Sequence, residues 1–135
     1  PVIFYPIKSV TRGSVPYELV ASSINALCCH TPLDIADGGT NDSLAKLLGI
    51  EVTRTEDPIL RLGTVEPTTA ENLAGKIAKT LSTKVRYADA GKTIKKIAIC
   101  TGAGCSLIEA AGEIDAFITG DASHHNFLDC ITKRK

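Results

Sequence analysis

Residues 95–111, KKIAICTGAGCSLIEAA, constrain the fold more than any other stretch. IAIC is short, apolar and bounded by turn residues, the pattern of a deeply buried strand. Gly102 and Gly104 follow at once, and SLIEAA has the spacing of a short helix. A chain that goes from buried strand through a glycine turn into a helix is building layers, with helices laid on a sheet. The order recurs in AFITGDASHHNFLDCITK, where a strand at 116–119 leads through Gly120 to a terminal helix.

The rest of the chain continues this alternation. VIF at 2–4 reads as a strand closed by Pro6, and Tyr17 to Ala26 reads as a helix with Pro16 in its first turn. Leu27–Cys29 reads as a brief strand delivering His30. Thr40 can cap a helix with Leu44, Leu47 and Leu48 as its apolar stripe and Gly49 at its end. IEVTR and Leu60–Val65 read as strands, and the proline-bounded region near 55–67 marks a possible subdomain edge. Thr68 with Glu71 forms a capping box for a helix carrying Leu73, Ile77, Ala78 and Leu81. KVRYA at 84–88 reads as another strand. The expected class is therefore α/β, a largely parallel or mixed sheet covered by helices, with residues 1–135 in a single domain.

Composition removes several functions. Apolar residues are 44% and charged residues 22%, ordinary globular values, and no apolar run approaches the ~20 residues of a membrane span. Fifteen Lys and Arg balance fifteen Asp and Glu, so no global field gathers nucleic acid or anionic lipid. Five cysteines without CxxC spacing argue against a disulfide framework or zinc ribbon and for reduced thiols in a cytoplasmic setting. The chain opens PVIFYP without Met, which leaves targeting undecided.

Chemistry-bearing side chains gather at the strand ends. In HTPLD, Pro32 disfavours a continuous helix from His30 to Asp34, which puts the pair on a loop. Imidazole plus carboxylate suits Zn²⁺, Mn²⁺, Fe²⁺ or Ni²⁺ better than Ca²⁺ or Mg²⁺. From these residues alone, a turn capped by Asp34 with His30 packed against it is the simpler account, and half of a metal site is the other. TGAGCS is a tight strand-to-helix turn or an anion contact, and Leu107 in place of a third glycine removes a dinucleotide fingerprint. Asp121, His124 and His125 follow AFIT, and adjacent histidines cannot both face one crevice. Cys105, ahead of SLIEAA, is the one thiol placed for nucleophilic use, although a turn thiol is the plainer reading.

Taken in order, PVIF, HTPLDIADGGTNDSLAKLLGI, RLGTVEPTTAENLAGKIAKTL, KKIAICTGAGCSLIEAA and DAFITGDASHHNFLD resemble the Nif-three-like dinuclear metal-centre family, also called GTP cyclohydrolase 1 type 2 homologues. The resemblance implies two divalent metal ions, with Asp34 as a ligand and His30 as a ligand or close neighbour. It also implies a histidine pair just ahead of Pro1 and a His-x-x-x-Glu motif beyond Lys135, so that the chain is incomplete at both ends. Two departures stand out: ILRLG at 59–63 where the family has GxGRxG, and Asp121 where the family has glutamate.

The resulting expectation is a metal-dependent hydrolase acting on a nucleotide-like or phosphate-bearing small molecule, with His125 stabilising charge or passing a proton. The alternative is a non-catalytic metal-binding regulatory or interaction factor. A homo-oligomer follows from the resemblance, and neither nucleic acid nor membrane is expected as a partner.

Overall fold

Strand β3, Ile94–Cys100, has its last four residues buried, and the fold is organised around it. The structure is a computed structural model that describes residues 7–133. VIF at 2–4 lies outside them. The elements are α1 (Val15–Ala21), α2 (Thr31–Ile35), α3 (Thr40–Leu48), β1 (Val52–Arg54), β2 (Arg61–Thr68), α4 (Ala70–Leu81), β3, a single 3₁₀ turn (Gly104–Leu107), β4 (Ala116–Thr119) and α5 (His124–Lys133). They fall into two units, residues 1–33 and 34–135.

In the first unit, the Ser14 hydroxyl caps α1 by accepting from the Tyr17 amide, and Pro16 sits in the first turn, where its missing N–H costs nothing. The helix stops earlier than its apolar spacing suggests. Ser23 turns left-handed at φ +53, and the Ser22, Ser23 and Ile24 amides bond back to Glu18, Val20 and Leu19. Residues 25–29 form no strand, which corrects the expected strand at 27–29. Cys28 and Cys29 are exposed, and so is Leu27 at 91%. An apolar run becomes a strand only when a neighbour takes its amides and carbonyls, and no such ladder reaches it among the described residues.

The second unit carries a four-stranded sheet in the order β1-β2-β3-β4. The first two pairings are antiparallel and β3 with β4 is parallel, so the sheet is mixed rather than largely parallel. On one face Ile97 and Ile99 pack with Ala45 and Leu48 of α3 and Leu73 and Ile77 of α4. On the other, Ala98 and Cys100 pack with Leu60 and Ala111. Each wholly buried isoleucine contributes about 1.5–3 kcal/mol. A bulge between Thr64 and Thr68 takes Pro67 out of the ladder it cannot join.

Several elements differ in detail from expectation. The buried face of α3 is Asn41, Ala45 and Leu48, while Leu47 points outward at 62% exposure. The N-cap of α4 is Thr69, whose hydroxyl accepts from the Asn72 amide at 3.2 Å, one residue later than the capping-box pattern placed it. Residues 84–88 form no strand: Val85 packs on the core and Arg86 lies 5.6 Å from the Phe127 ring, so side chains rather than a ladder hold them. SLIEAA yields only a 3₁₀ turn.

The first residue of β2 is Arg61, 1% exposed. Its Nε donates to Asp42, Nη1 to the carbonyls of Pro58, Ile59 and Leu60, and Nη2 to that of Ile35. Asp42 also accepts from the Gly38 amide at 2.8 Å. The Arg61 guanidinium, and next the Gly38 amide, hold the Asp42 carboxyl below its ordinary 3.8. Asp115 is lowered in the same way by the Lys96 and Lys95 amides, which both donate to its Oδ2.

A folded value below the unfolded one gives stability that is complete above the unfolded value and lost as pH falls through the folded one. Urea midpoints should therefore decline below pH about 4. Asp42→Asn should be less stable at pH 7 and converge on the parent protein in acid, and parallel pH profiles would remove Asp42 from the acid response. Arg61→Leu, which takes the guanidinium from Asp42 and from the carbonyls of Pro58, Ile59 and Leu60 while Arg54 still holds that of Ile35, should cost about 2–4 kcal/mol at pH 7 in the same assay.

Candidate functional site

The parallel pair β3 and β4 ends with Thr101 just past one strand and Thr119 closing the other, and binding crevices in such sheets form outside these carboxyl ends. The two loops are clamped together. The Gly102 carbonyl accepts from the Thr119 hydroxyl at 2.8 Å, the Gly120 amide at 3.0 Å and the Asp121 amide at 2.9 Å. Thr119 in turn accepts from the Gly104 amide at 3.0 Å. Gly102 adopts φ +69, open to glycine at little cost. A Cβ on Gly104 would lie 2.6 Å from Cys100 Cβ and Sγ. Of the TGAGCS glycines, Gly102 thus serves a left-handed turn and Gly104 close packing, and the Gly104 amide is committed to a threonine.

Asp34 belongs to the same unit. Pro32 does not break the segment: α2 runs Thr31–Ile35 with proline in its first turn, so HTPLD is a helical turn and not the expected loop. Asp34 Oδ1 accepts from the Thr40 hydroxyl at 2.5 Å and the Thr101 hydroxyl at 3.2 Å. Its Oδ2 has no hydrogen-bond partner among the described residues. Asn41, with no exposed surface, donates to the Asp34 carbonyl at 3.0 Å and accepts from the Thr101 amide at 2.7 Å. One buried amide therefore joins α2 to the end of β3. Neither Asn41 nor Thr101 is a metal-ligating type, and the small polar side chain on the buried face of α3 is the sequence signal for Asn41.

Of the remaining candidates, His124, His125 and Cys105 lie outside this hydrogen-bonded cluster. His30, exposed, precedes α2 in the first unit, where its carbonyl accepts from the Leu33 amide at 3.1 Å. His124 and His125 are exposed on the first turn of α5 with ring centroids 6.2 Å apart, and neither is hydrogen-bonded to Asp34. Ser123 and Asn126 cap that helix reciprocally: the Asn126 side chain accepts from the Ser123 amide at 2.8 Å, and the Ser123 hydroxyl accepts from the Asn126 amide at 3.3 Å. The Cys105 thiol is pushed up, first by burial and then by Cys130 and Asp121, the opposite of what a nucleophile needs.

Asp34 is suited to be one ligand of a divalent cation, with one oxygen oriented and the other without a partner among the described residues. Among the described residues no three or more His, Cys, Asp and Glu side chains converge, so they supply a carboxylate rather than a complete site. None of the described helices is long and apolar enough to cross a membrane.

The sequence pattern of the Duf34/NIF3 (NGG1p interacting factor 3) family matches residues 1–134. The chain belongs to this family. Among curated Duf34/NIF3 relatives named GTP cyclohydrolase 1 type 2 homolog, that of Streptococcus pneumoniae is 31% identical over 148 residues, covering 96% of this chain and 56% of its own. That of Escherichia coli K12 is 38% identical over 123 residues, covering 87% and 49%. The chain thus spans about half the length of the curated relatives it matches. The solved structure of protein ybgI, described as of unknown function, superposes with TM-score 0.82 at 33% identity, covering 97% of this chain and 57% of that one. Reduced HcgD from Methanocaldococcus jannaschii superposes with TM-score 0.71 at 28% identity, covering 98% and 56%.

In this Duf34/NIF3 chain, Asn41→Leu removes both buried bonds and should cost about 1–3 kcal/mol. Gly104→Ala should cost a similar ~1–3 kcal/mol by overpacking. Gly75→Ala, in open space inside α4, should instead stabilise by roughly 0.5–1 kcal/mol. Thermal melting of the three variants checks the ranking; a neutral Gly104→Ala would show that the loop clamp yields.

Proposed function

We propose that Asp34 is a ligand in a centre of two divalent ions of the Zn²⁺, Mn²⁺, Fe²⁺ or Ni²⁺ kind, in a cytoplasmic, self-associating protein that hydrolyses a phosphate-bearing or nucleotide-like small molecule. One observation carries this reading: Oδ1 of Asp34 is fixed by two threonine hydroxyls while Oδ2, beside the carboxyl end of a parallel strand, has no hydrogen-bond partner among the described residues. A carboxylate that only shaped its own turn would have no use for a hydroxyl from 67 residues away. His30 is proposed as a ligand or close neighbour on its place in the sequence, four residues before Asp34. Membership of Duf34/NIF3 and the cyclohydrolase-homologue name of the relatives support the hydrolytic part.

When bound, such ions supply Lewis-acid activation of water and of phosphoryl oxygen. The chain's own contribution is the orientation of Asp34 by Thr40 and Thr101. His125, exposed at the start of α5, is assigned to proton transfer. A second reading, a metal-binding interaction factor without turnover, draws support from the family's description as an interacting factor.

Elemental analysis of the intact protein and of Asp34→Ala should show metal lost in the variant, and equal stoichiometry would remove Asp34 from the ligand set. Assay against nucleotides and phosphoesters should show turnover that needs added Mn²⁺ or Zn²⁺ and falls about 100-fold or more in His125→Ala. Metal occupancy without turnover on any of them favours the interaction factor.

A further inference from the structure

We infer that Thr40 and Thr101 determine which cations Asp34 accepts, by leaving it a single oxygen to offer. The inference rests on the reading of Asp34 as a ligand. Both hydroxyls reach Oδ1, and they lie 3.2 Å from one another although 61 residues separate them in the chain. Each is anchored independently. Thr40 is the first residue of α3, and the amide of Thr101 is held at 2.7 Å by the buried Asn41 side chain, which also holds the Asp34 carbonyl at 3.0 Å. Rotation of the carboxylate to offer both oxygens would break two hydroxyl bonds while its backbone stayed fixed.

A carboxylate in this state coordinates through Oδ2 alone. Ca²⁺ gathers about six to eight oxygens and readily uses both oxygens of one carboxylate. Smaller cations such as Mn²⁺ and Zn²⁺ are satisfied by one carboxylate oxygen with nitrogen or water beside it. The threonine pair therefore discriminates against Ca²⁺. Valine in place of threonine keeps the shape, removes the hydroxyl and releases Oδ1.

Calorimetric titration of the intact protein with MnCl2 and, separately, CaCl2 tests this, with thermal melting as the control for folding. Thr40→Val/Thr101→Val should lose roughly 10–100-fold in Mn²⁺ affinity, the range seen when outer-shell partners of ligands are removed. Ca²⁺ affinity should hold or rise, so that the preference for Mn²⁺ over Ca²⁺ falls about tenfold or more. Thr40→Ser/Thr101→Ser, which keeps both hydroxyls, should restore the parent preference. If the double valine variant does not fold, Thr101→Val alone is read in the same way. An unchanged preference, or equal loss of both ions, overturns the inference while Asp34→Asn still abolishes binding. If Asp34→Asn binds as the parent does, or the parent binds neither ion, the reading of Asp34 as a ligand fails and the inference falls with it.

Discussion

A guanidinium removed from water must find an acceptor for its N–H groups or the fold loses several kcal/mol. Arg61 finds them in Asp42 and in the carbonyls of Pro58, Ile59, Leu60 and Ile35. Those partners set the course of the chain from the end of α2 to the start of α3. Ile35 is the last residue of α2 and Asp42 lies in the first turn of α3, so one side chain at the start of β2 fixes both ends of the glycine-containing loop. Asp42 then caps that loop by accepting from the Gly38 amide, and its charge lies at the positive end of the α3 dipole. With the loop fixed, Thr40 and Asn41 can meet Asp34 on one side and Thr101 on the other. The geometry of the candidate site is thus inherited from a buried cation that is not part of it.

β3 supplies the second fixed point. Its residues alternate between two cores, Ile97 and Ile99 toward α3 and α4, Ala98 and Cys100 toward Leu60 and Ala111. A strand held on both faces cannot shift register without turning every side chain into the wrong core. Thr101 is therefore delivered to one place, and the parallel partner β4 delivers Thr119 beside it. The clamp of Thr119, Gly120 and Asp121 onto the Gly102 carbonyl transmits that rigidity to both loops.

The class of the fold was readable because its signals are local: strand-like runs, glycine turns and helical spacing follow directly from side-chain period. Gly49 at the end of α3 is such a case, at φ +65. What failed was whatever depends on a neighbour. Leu27–Cys29 and KVRYA carry strand-like residues but no ladder partner among the described residues, and pattern alone does not reveal a missing partner. Leu47 looked like core and Asn41 did not, because a hydrophobicity pattern scores leucine inward and asparagine outward, whereas Asn41 is buried through two specific hydrogen bonds. Pro32 does not exclude a helix here, since in the first turn of α2 its missing N–H breaks nothing. Asp34 was singled out for its chemistry; its orienting partners were not, since Thr101 lies 67 residues on.

That distance in sequence also bears on what the cluster is for. Local capping of Asp34 could be met by a residue three or four positions away, as Ser123 and Asn126 do for each other. Instead a hydroxyl from the end of the central strand, one from the following helix and a wholly buried amide all converge on one short turn. Ordering those groups costs side-chain entropy and buries polar atoms, and a turn of this kind folds without them. The turn gains a carboxylate whose position is set to the precision of the β-sheet rather than of a loop. Such precision matters where an oxygen must meet a small cation at a fixed distance, because binding sites built on rigid elements hold their geometry before the ligand arrives.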